Sequence, residues 1–305
     1  MRVAAVDCGT NSVRLLVCDL SAGTKRDLHR DMRIVRLGQD VDRTGRLDPA
    51  ALERTRAALA DYAEVCRQLG VERIRMVATS ATRDASNRSD FVAIARQALG
   101  VEPEVVTGDE EAALSFAGAT AGLEATDGPF LVMDIGGGST EFVLGGPTVE
   151  AALSVDVGCV RLTERHLVSD PPTAVEVEAA RADVDAALTE VLAAVPVAKA
   201  RTAIGLAGTV TTVAALALGL SSYDPERIHL ARLSAEQVQQ TAAGLLGMSR
   251  AERAALPPMH PGRVDVIGAG ALVLAMAVAR LGLEELVVSE ADILDGIAMS
   301  MRGSG

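Results

Sequence analysis

The chain has no tryptophan, only two tyrosines and four phenylalanines. With so few rings, a large interior has to be filled by Ala, Val, Leu and Ile at the close spacing that helices packed on sheets allow. Lysine is nearly missing too. Lys25 and Lys199 are the only two among 29 basic residues, so arginine, which makes forked contacts to phosphate oxygens, carries almost all the positive charge. A plain compositional bias toward Arg would give the same excess. The four cysteines, Cys8, Cys18, Cys66 and Cys159, have neither CxxC spacing nor the density of a secreted scaffold. That argues against a zinc site or a disulfide framework and fits a reducing cytoplasm. Asp7 interrupts the N-terminal apolar run before a secretory signal can develop. The run 266–279 is too short to span a membrane, and the run 203–220 is broken by Gly205, Gly208 and three threonines, so both read as buried soluble elements. With a net charge of −12, the long-range field repels nucleic acid and anionic membrane alike, which sets both aside as partners. An anionic substrate would have to be held locally.

What is present is 305 residues, nearly half of them hydrophobic, which is more than one core usually holds. Two domains and a cleft are expected. The run 3–6 and the run 13–17 read as strands flanking the polar turn Asp7-Cys8-Gly9-Thr10-Asn11-Ser12. Asp48 as N-cap with Pro49 behind it starts a helix that ends at Gly70. Strands at 74–78 and 104–106, alternating with helices at 90–99 and 110–123, imply parallel pairing. Gly128-Pro129 then marks a break, and a strand at 130–133 leads into Asp134-Ile135-Gly136-Gly137-Gly138-Ser139-Thr140 and the strand 141–144. Asp7 and Asp134, Gly9 and Gly136, and Ser12 and Ser139 are all 127 residues apart. The strand-turn-strand module therefore occurs twice, as in a duplicated half-structure. Further on, helices are expected at 173–195, after a turn at 207–209, at 262–281 and at 292–301, with strands at 203–206 and 286–289.

Each loop admits a bland and a chemical reading. Residues 7–12 have what a phosphate turn needs, a Gly for close backbone approach and short donors in Thr10, Asn11 and Ser12, yet such residues are also ordinary turn formers. The triple glycine 136–138 costs backbone entropy without packing return unless a ligand or another backbone comes close. Asp134 before it and Glu141 beyond it could serve magnesium, which needs only one or two carboxylates beside its waters and substrate phosphate. Gly108-Asp109-Glu110-Glu111-Ala112 opens a helix with three acids. Dipole complementarity explains that without catalysis, and since adjacent helical residues point about 100° apart, at most one of Glu110 and Glu111 can face a site squarely. Arg83, in Ala78-Thr79-Ser80-Ala81-Thr82-Arg83-Asp84, is either a phosphate contact or a solvated side chain. His260 reads as a loop residue, and the four histidines show no metal spacing.

Taken together, residues 7–15, 78–84, 108–112, 134–141 and Ala207-Gly208-Thr209-Val210-Thr211-Thr212 resemble the exopolyphosphatase and guanosine pentaphosphate phosphohydrolase family over essentially the whole chain. The resemblance implies the duplicated α/β fold of the superfamily of actin, heat-shock chaperone ATPases and acetate and sugar kinases. One actin-like domain would span 1–125, with 291–305 packing back on it, and the other 126–290, with the active site in the cleft between them. It implies magnesium-assisted removal of terminal phosphate from inorganic polyphosphate or a (p)ppGpp-type nucleotide, and a cytoplasmic homodimer. By position, Glu111 would be the catalytic base. Asp134 and Glu141, with Asp7 opposite, would associate with the metal. Gly9, Thr10, Asn11 and Ser12, Gly136, Gly137, Gly138 and Ser139, Gly208 and Thr209 would hold phosphate, with Arg83 on the phosphate tail. The larger family members carry extra helical domains after this core, so short-chain preference and distributive release are expected. A superfamily kinase acting on ATP, and a nucleotide-gated binding or filament protein, are the competing readings. The Glu-Glu-Ala motif favours water as the acceptor.

Overall fold

The computed structural model describes residues 1–21 and 24–302. The chain divides into two compact units, Met1–Gly118 together with the chain from Asp292 onward, and Ala119–Ala291.

In the first unit, strands β1 (Arg2–Cys8), β2 (Ser12–Ser21), β3 (Thr24–Ile34), β4 (Arg73–Ala78) and β5 (Glu104–Val105) form one sheet in the order β3-β2-β1-β4-β5. The first three are antiparallel neighbours, while β4 runs parallel to β1 and β5 parallel to β4. Helices α1 (Val41–Thr44), α2 (Pro49–Gln68), α3 (Ser80–Asp84), α4 (Arg88–Leu99) and α5 (Gly108–Thr120) follow in chain order. Asp48 caps α2 by accepting from the amides of Ala50 and Ala51, and Gly70, at φ 65°, turns the chain away beyond its end. Because β1 is buried on both faces, its side chains feed two cores. Val6, Leu15, Leu59 and Phe91 lie in one, and Val3, Ala5, Leu16 and Val77 pack with the closing helix Ile293–Ser300 in the other. The charged sequence of β3 hides its strand character, since it forms the sheet edge and presents mostly polar side chains to water.

The second unit repeats the arrangement. Strands β6 (Phe130–Ile135), β7 (Thr140–Gly145), β8 (Val149–Val155), β9 (Thr202–Leu206), β10 (Arg232–Ser234) and β11 (Glu285–Val288) run in the order β10-β11-β9-β6-β7-β8. Apart from the added edge strand β10, neighbours and directions match those of the first sheet. Its helices are α6 (Cys159–His166), α7 (Ala174–Ala194), α8 (Ala207–Ala217), α9 (Pro225–Ile228), α10 (Ala235–Gly247), α11 (Arg250–Ala254) and α12 (Ile267–Arg280), and the closing helix is α13. This is the duplicated actin-like fold. Two local expectations need correcting. Residues 207–209 form no separate turn, because α8 starts at Ala207 directly after β9, with Ala207 bent to φ 69°. The helix expected over 262–281 begins only at Ile267, after a short 3-10 turn at Pro261–Arg263 that His260 caps. No helix among the described residues is long and apolar enough to cross a membrane.

Candidate active site

Parallel strands bring their carboxyl ends to one edge of a sheet, and the loops leaving them carry most of the candidate residues. In the first unit the turn after β1 closes through the Gly9 amide, which donates to the Ser12 carbonyl at 2.9 Å. The segment leaving β3 clamps this turn from behind. Val35 and Arg36 donate to the Asn11 carbonyl and Gly38 to that of Thr10. A Cβ on Gly38 would sit 2.2 Å from Thr10 Cγ2, so only glycine permits the approach. Asp7, 3% exposed, accepts from Arg14 Nε and Nη2 at 2.9 and 2.7 Å, both on Oδ2. Burial pushes its carboxyl above the usual range, against the charge and hydrogen bonds of Arg14. Arg14 also pairs with Asp292, the N-cap of α13. Among the described residues, Asp7 Oδ1, Asn11 Oδ1, Ser80 Oγ and Thr82 Oγ1 are buried without a partner. All four lie at the end of β1, on the turn after it or on the helix after β4, and β1 and β4 are adjacent strands. Buried polar atoms are normally satisfied, so this end of the unit is arranged for water or ligand.

The structure separates the two adjacent glutamates. Thr107 and Glu110 form a reciprocal cap: Glu110 Oε2 accepts from the Thr107 amide at 2.8 Å and its hydroxyl at 3.0 Å, and the Glu110 amide donates back to Thr107 Oγ1 at 3.2 Å. Those bonds to Thr107 hold the Glu110 carboxyl below its ordinary range. Glu110 is committed to starting α5. Glu111, one position on, is turned inward and 8% exposed, and Arg83 Nη1 donates to its Oε2 at 3.1 Å while also meeting the Val106 carbonyl at 3.1 Å. Arg83 is therefore no freely solvated side chain. It sits against the expected base.

In the second unit the turn is built the same way, with the Gly136 amide donating to the Ser139 carbonyl at 3.0 Å. Here the chain after β8 is the clamp. Cys159 donates to the Gly136 carbonyl, Val160 and Arg161 to that of Gly137, and Arg161 Nε to that of Gly138. A Cβ on Gly158 would lie 2.5 Å from Gly137 C and O, so close approach of a second backbone accounts for part of the glycine run. Asp134, 7% exposed, and Glu141, 1% exposed, are directly opposite on β6 and β7 and so share a face of the sheet. Ser154 on β8 donates to Glu141 Oε1 at 2.6 Å. No cluster of three or more His, Cys, Asp or Glu able to hold a metal occurs among the described residues. Gly208 and the buried Thr209 open α8, where the Arg263 guanidinium lies across Gly208 and donates to Thr212 Oγ1 at 2.9 Å. A Cβ on Gly208 would meet Arg263 Nη2 at 2.4 Å.

Two residues escaped the sequence reading. Arg263 had no motif to mark it. Arg14 had one, since it pairs with Asp7 in β1–β2 as Glu141 pairs with Asp134 in β6–β7, and it lies the same 127 residues from Glu141. The repeat thus carries opposite charges at one position, giving an acid–arginine pair in the first unit and two acids in the second.

The model of the Ppx/GppA phosphatase family matches residues 16–304. Exopolyphosphatase 2 of Mycobacterium tuberculosis is 53% identical, with 99% of each chain covered. A guanosine-5'-triphosphate,3'-diphosphate pyrophosphatase of Aeromonas hydrophila is 30% identical over 99% of this chain and 59% of its own length. The crystal structure of an exopolyphosphatase-like protein superposes with a TM-score of 0.95 at 44% identity, covering 98% of this chain and 97% of the other.

Proposed function

The chain belongs to the Ppx/GppA phosphatase family, and from that premise we propose that it is an exopolyphosphatase, removing the terminal phosphate of inorganic polyphosphate by attack of a water that Glu111 orients. The observation that carries the reading is the division of labour between neighbours. Glu110 is spent on the helix cap, while Glu111 is turned inward beside Arg83, an arginine suited to phosphate oxygens. Phosphoryl transfer through a loose transition state asks for positioning more than base strength, so a carboxylate fixed by one arginine is sufficient. Glu111 would take the proton of the attacking water. Arg83 would hold the base in place before substrate arrives and a phosphate oxygen afterwards. The turns 9–12 and 136–139 and the start of α8, with Gly208, Thr209 and Arg263, would bind the remaining phosphates through amides and short hydroxyls.

Asp134 and Glu141 fit magnesium. They stand directly opposite on neighbouring strands, Ser154 orients one of them, and a sparse donor set suits an ion that keeps most of its waters. Magnesium bound there would neutralise phosphate oxygens and the charge developing on the leaving oxygen. The Asp7 carboxylate already holds Arg14, and its free Oδ1 suits a bound water better than direct ligation. A cytoplasmic homodimer remains the working state of this reading, the symmetric pair being the commonest assembly.

Phosphate release from tripolyphosphate, longer polyphosphate, guanosine pentaphosphate and ATP, each with and without magnesium, tests the proposal. Polyphosphate should be the preferred substrate and chelator should silence the reaction. Release from guanosine pentaphosphate alone, or from none of them, would overturn it.

A further inference from the structure

Helix α4 lies between β4 and β5, two parallel strands, so it must run back against their direction. Its first turn therefore stands at the strand end that carries Thr79–Arg83 and Glu111, and the helix leads away from there. Along its outer face is an open groove of about 670 Å³ lined by Arg88, Ser89, Val92, Ala93, Arg96 and Gln97. Arg88 and Arg96 are two positions of one helical row, eight residues or about 12 Å apart along the axis. Neither guanidinium has a hydrogen-bond or ion-pair partner among the described residues. Most other arginines in this acidic protein are neutralised by carboxylates, as Arg56 is by Glu53 and Arg67 by Glu64 on neighbouring α2. Helix stability does not account for Arg88 either, because it sits in the first turn, where the helix dipole disfavours a cation. The nearest acid on the helix, Asp90, accepts from Asn87.

We propose that this groove is a secondary binding site for the tail of a polyphosphate chain whose terminal residue is at Glu111, with Arg88 and Arg96 on its phosphate oxygens and Ser89 and Gln97 as neutral donors. The inference rests on the polyphosphate reading above. A polyanion approaching a protein of charge −12 is repelled overall, so two unpaired arginines leading away from Arg83 form a local track for it. The track is short. Affinity should rise with chain length until the tail covers Arg96 and then level off.

The test is the R88Q/R96Q double variant, with R181Q/R227Q as a control that removes the same charge from exposed positions in the other unit. For chains long enough to reach the groove, KM should rise about 3- to 10-fold, the worth of two partly solvated ionic contacts, while kcat and the KM for tripolyphosphate stay unchanged. The control should leave every KM near the wild-type value. Direct titration of long-chain polyphosphate into wild type and double variant, without turnover, should show the same loss of affinity. The two measurements separate the readings: if wild type releases no phosphate from polyphosphate the enzymatic proposal fails, whereas equal binding in both proteins overturns the groove. An equal rise for tripolyphosphate, or an equal loss in the control, would overturn the groove as well. So would binding of an acidic protein segment there with polyphosphate binding unaffected.

Discussion

Replacing Glu111 and Glu110 separately by Gln tests the assignment where the two side chains differ most. Glu111→Gln keeps the shape and removes the charge that accepts a proton. A positioned general base contributes about 10²- to 10⁴-fold, or about 2.7 to 5.5 kcal/mol of transition-state stabilisation, and kcat should fall by that factor. Folding should survive. Arg83 is 25% exposed at its side chain and keeps the Val106 carbonyl, so losing its carboxylate partner costs about 1 kcal/mol, small beside a total of about 5 to 15. Affinity for polyphosphate should stay close to normal, since the base acts chiefly in the transition state. Glu110→Gln loses part of the reciprocal cap with Thr107 and should soften α5 slightly without touching kcat. Single-turnover phosphate release, binding by calorimetry and urea unfolding on the same preparations give the three readouts. If both variants lose activity equally, or if Glu111→Gln keeps more than a tenth of kcat while folded, the assignment is wrong.

Asp134→Asn and Glu141→Gln should each raise the magnesium concentration at half-maximal activity and weaken manganese binding measured by electron paramagnetic resonance; unchanged metal binding in both would remove the pair from the reaction. Ser154→Ala should shift the same curve more modestly, through the lost hydrogen bond to Glu141. Gly118→Ala would place a Cβ 1.8 Å from the Asp292 carbonyl oxygen, and Gly296→Ala one 2.0 Å from that of Leu114. Backbone cannot yield as a side chain can, so each should cost about 3 kcal/mol or more in denaturant unfolding, and a wild-type midpoint would contradict the packing of α5 on α13. At acid pH, Thr173, assisted by Ser169, holds the Glu176 carboxyl down to about 2. A carboxyl lowered on folding stabilises above its unfolded value near 4.5, and that contribution fades as pH falls toward 2. Glu176→Gln should therefore flatten the stability profile within that window and nowhere else.

The sequence by itself determined the elements whose signals are local: the capped helix from Pro49 to its glycine stop, the buried strands expected at 130–133 and 203–206 and found at 130–135 and 202–206, and the strand-turn-strand module repeated 127 residues on. Those turns were legible because glycine and short polar residues are needed wherever they occur. The strand β3 was not legible, because an edge strand facing water loses the apolar alternation that marks a strand. The choice between Glu110 and Glu111 was left to position in a motif, whereas the structure distinguishes them physically, through a cap that engages one and an arginine from a different loop that meets the other. Arg14 shows the same limit. Its spacing from Glu141 lay open in the sequence, but that it neutralises Asp7 and reaches Asp292, 278 residues away, follows only from strand register and from the return of the last helix to the first sheet. Short-range rules specify the turn, the cap and the strand. Which charge meets which across the chain is decided by tertiary packing, because that pairing depends on distances no local pattern encodes.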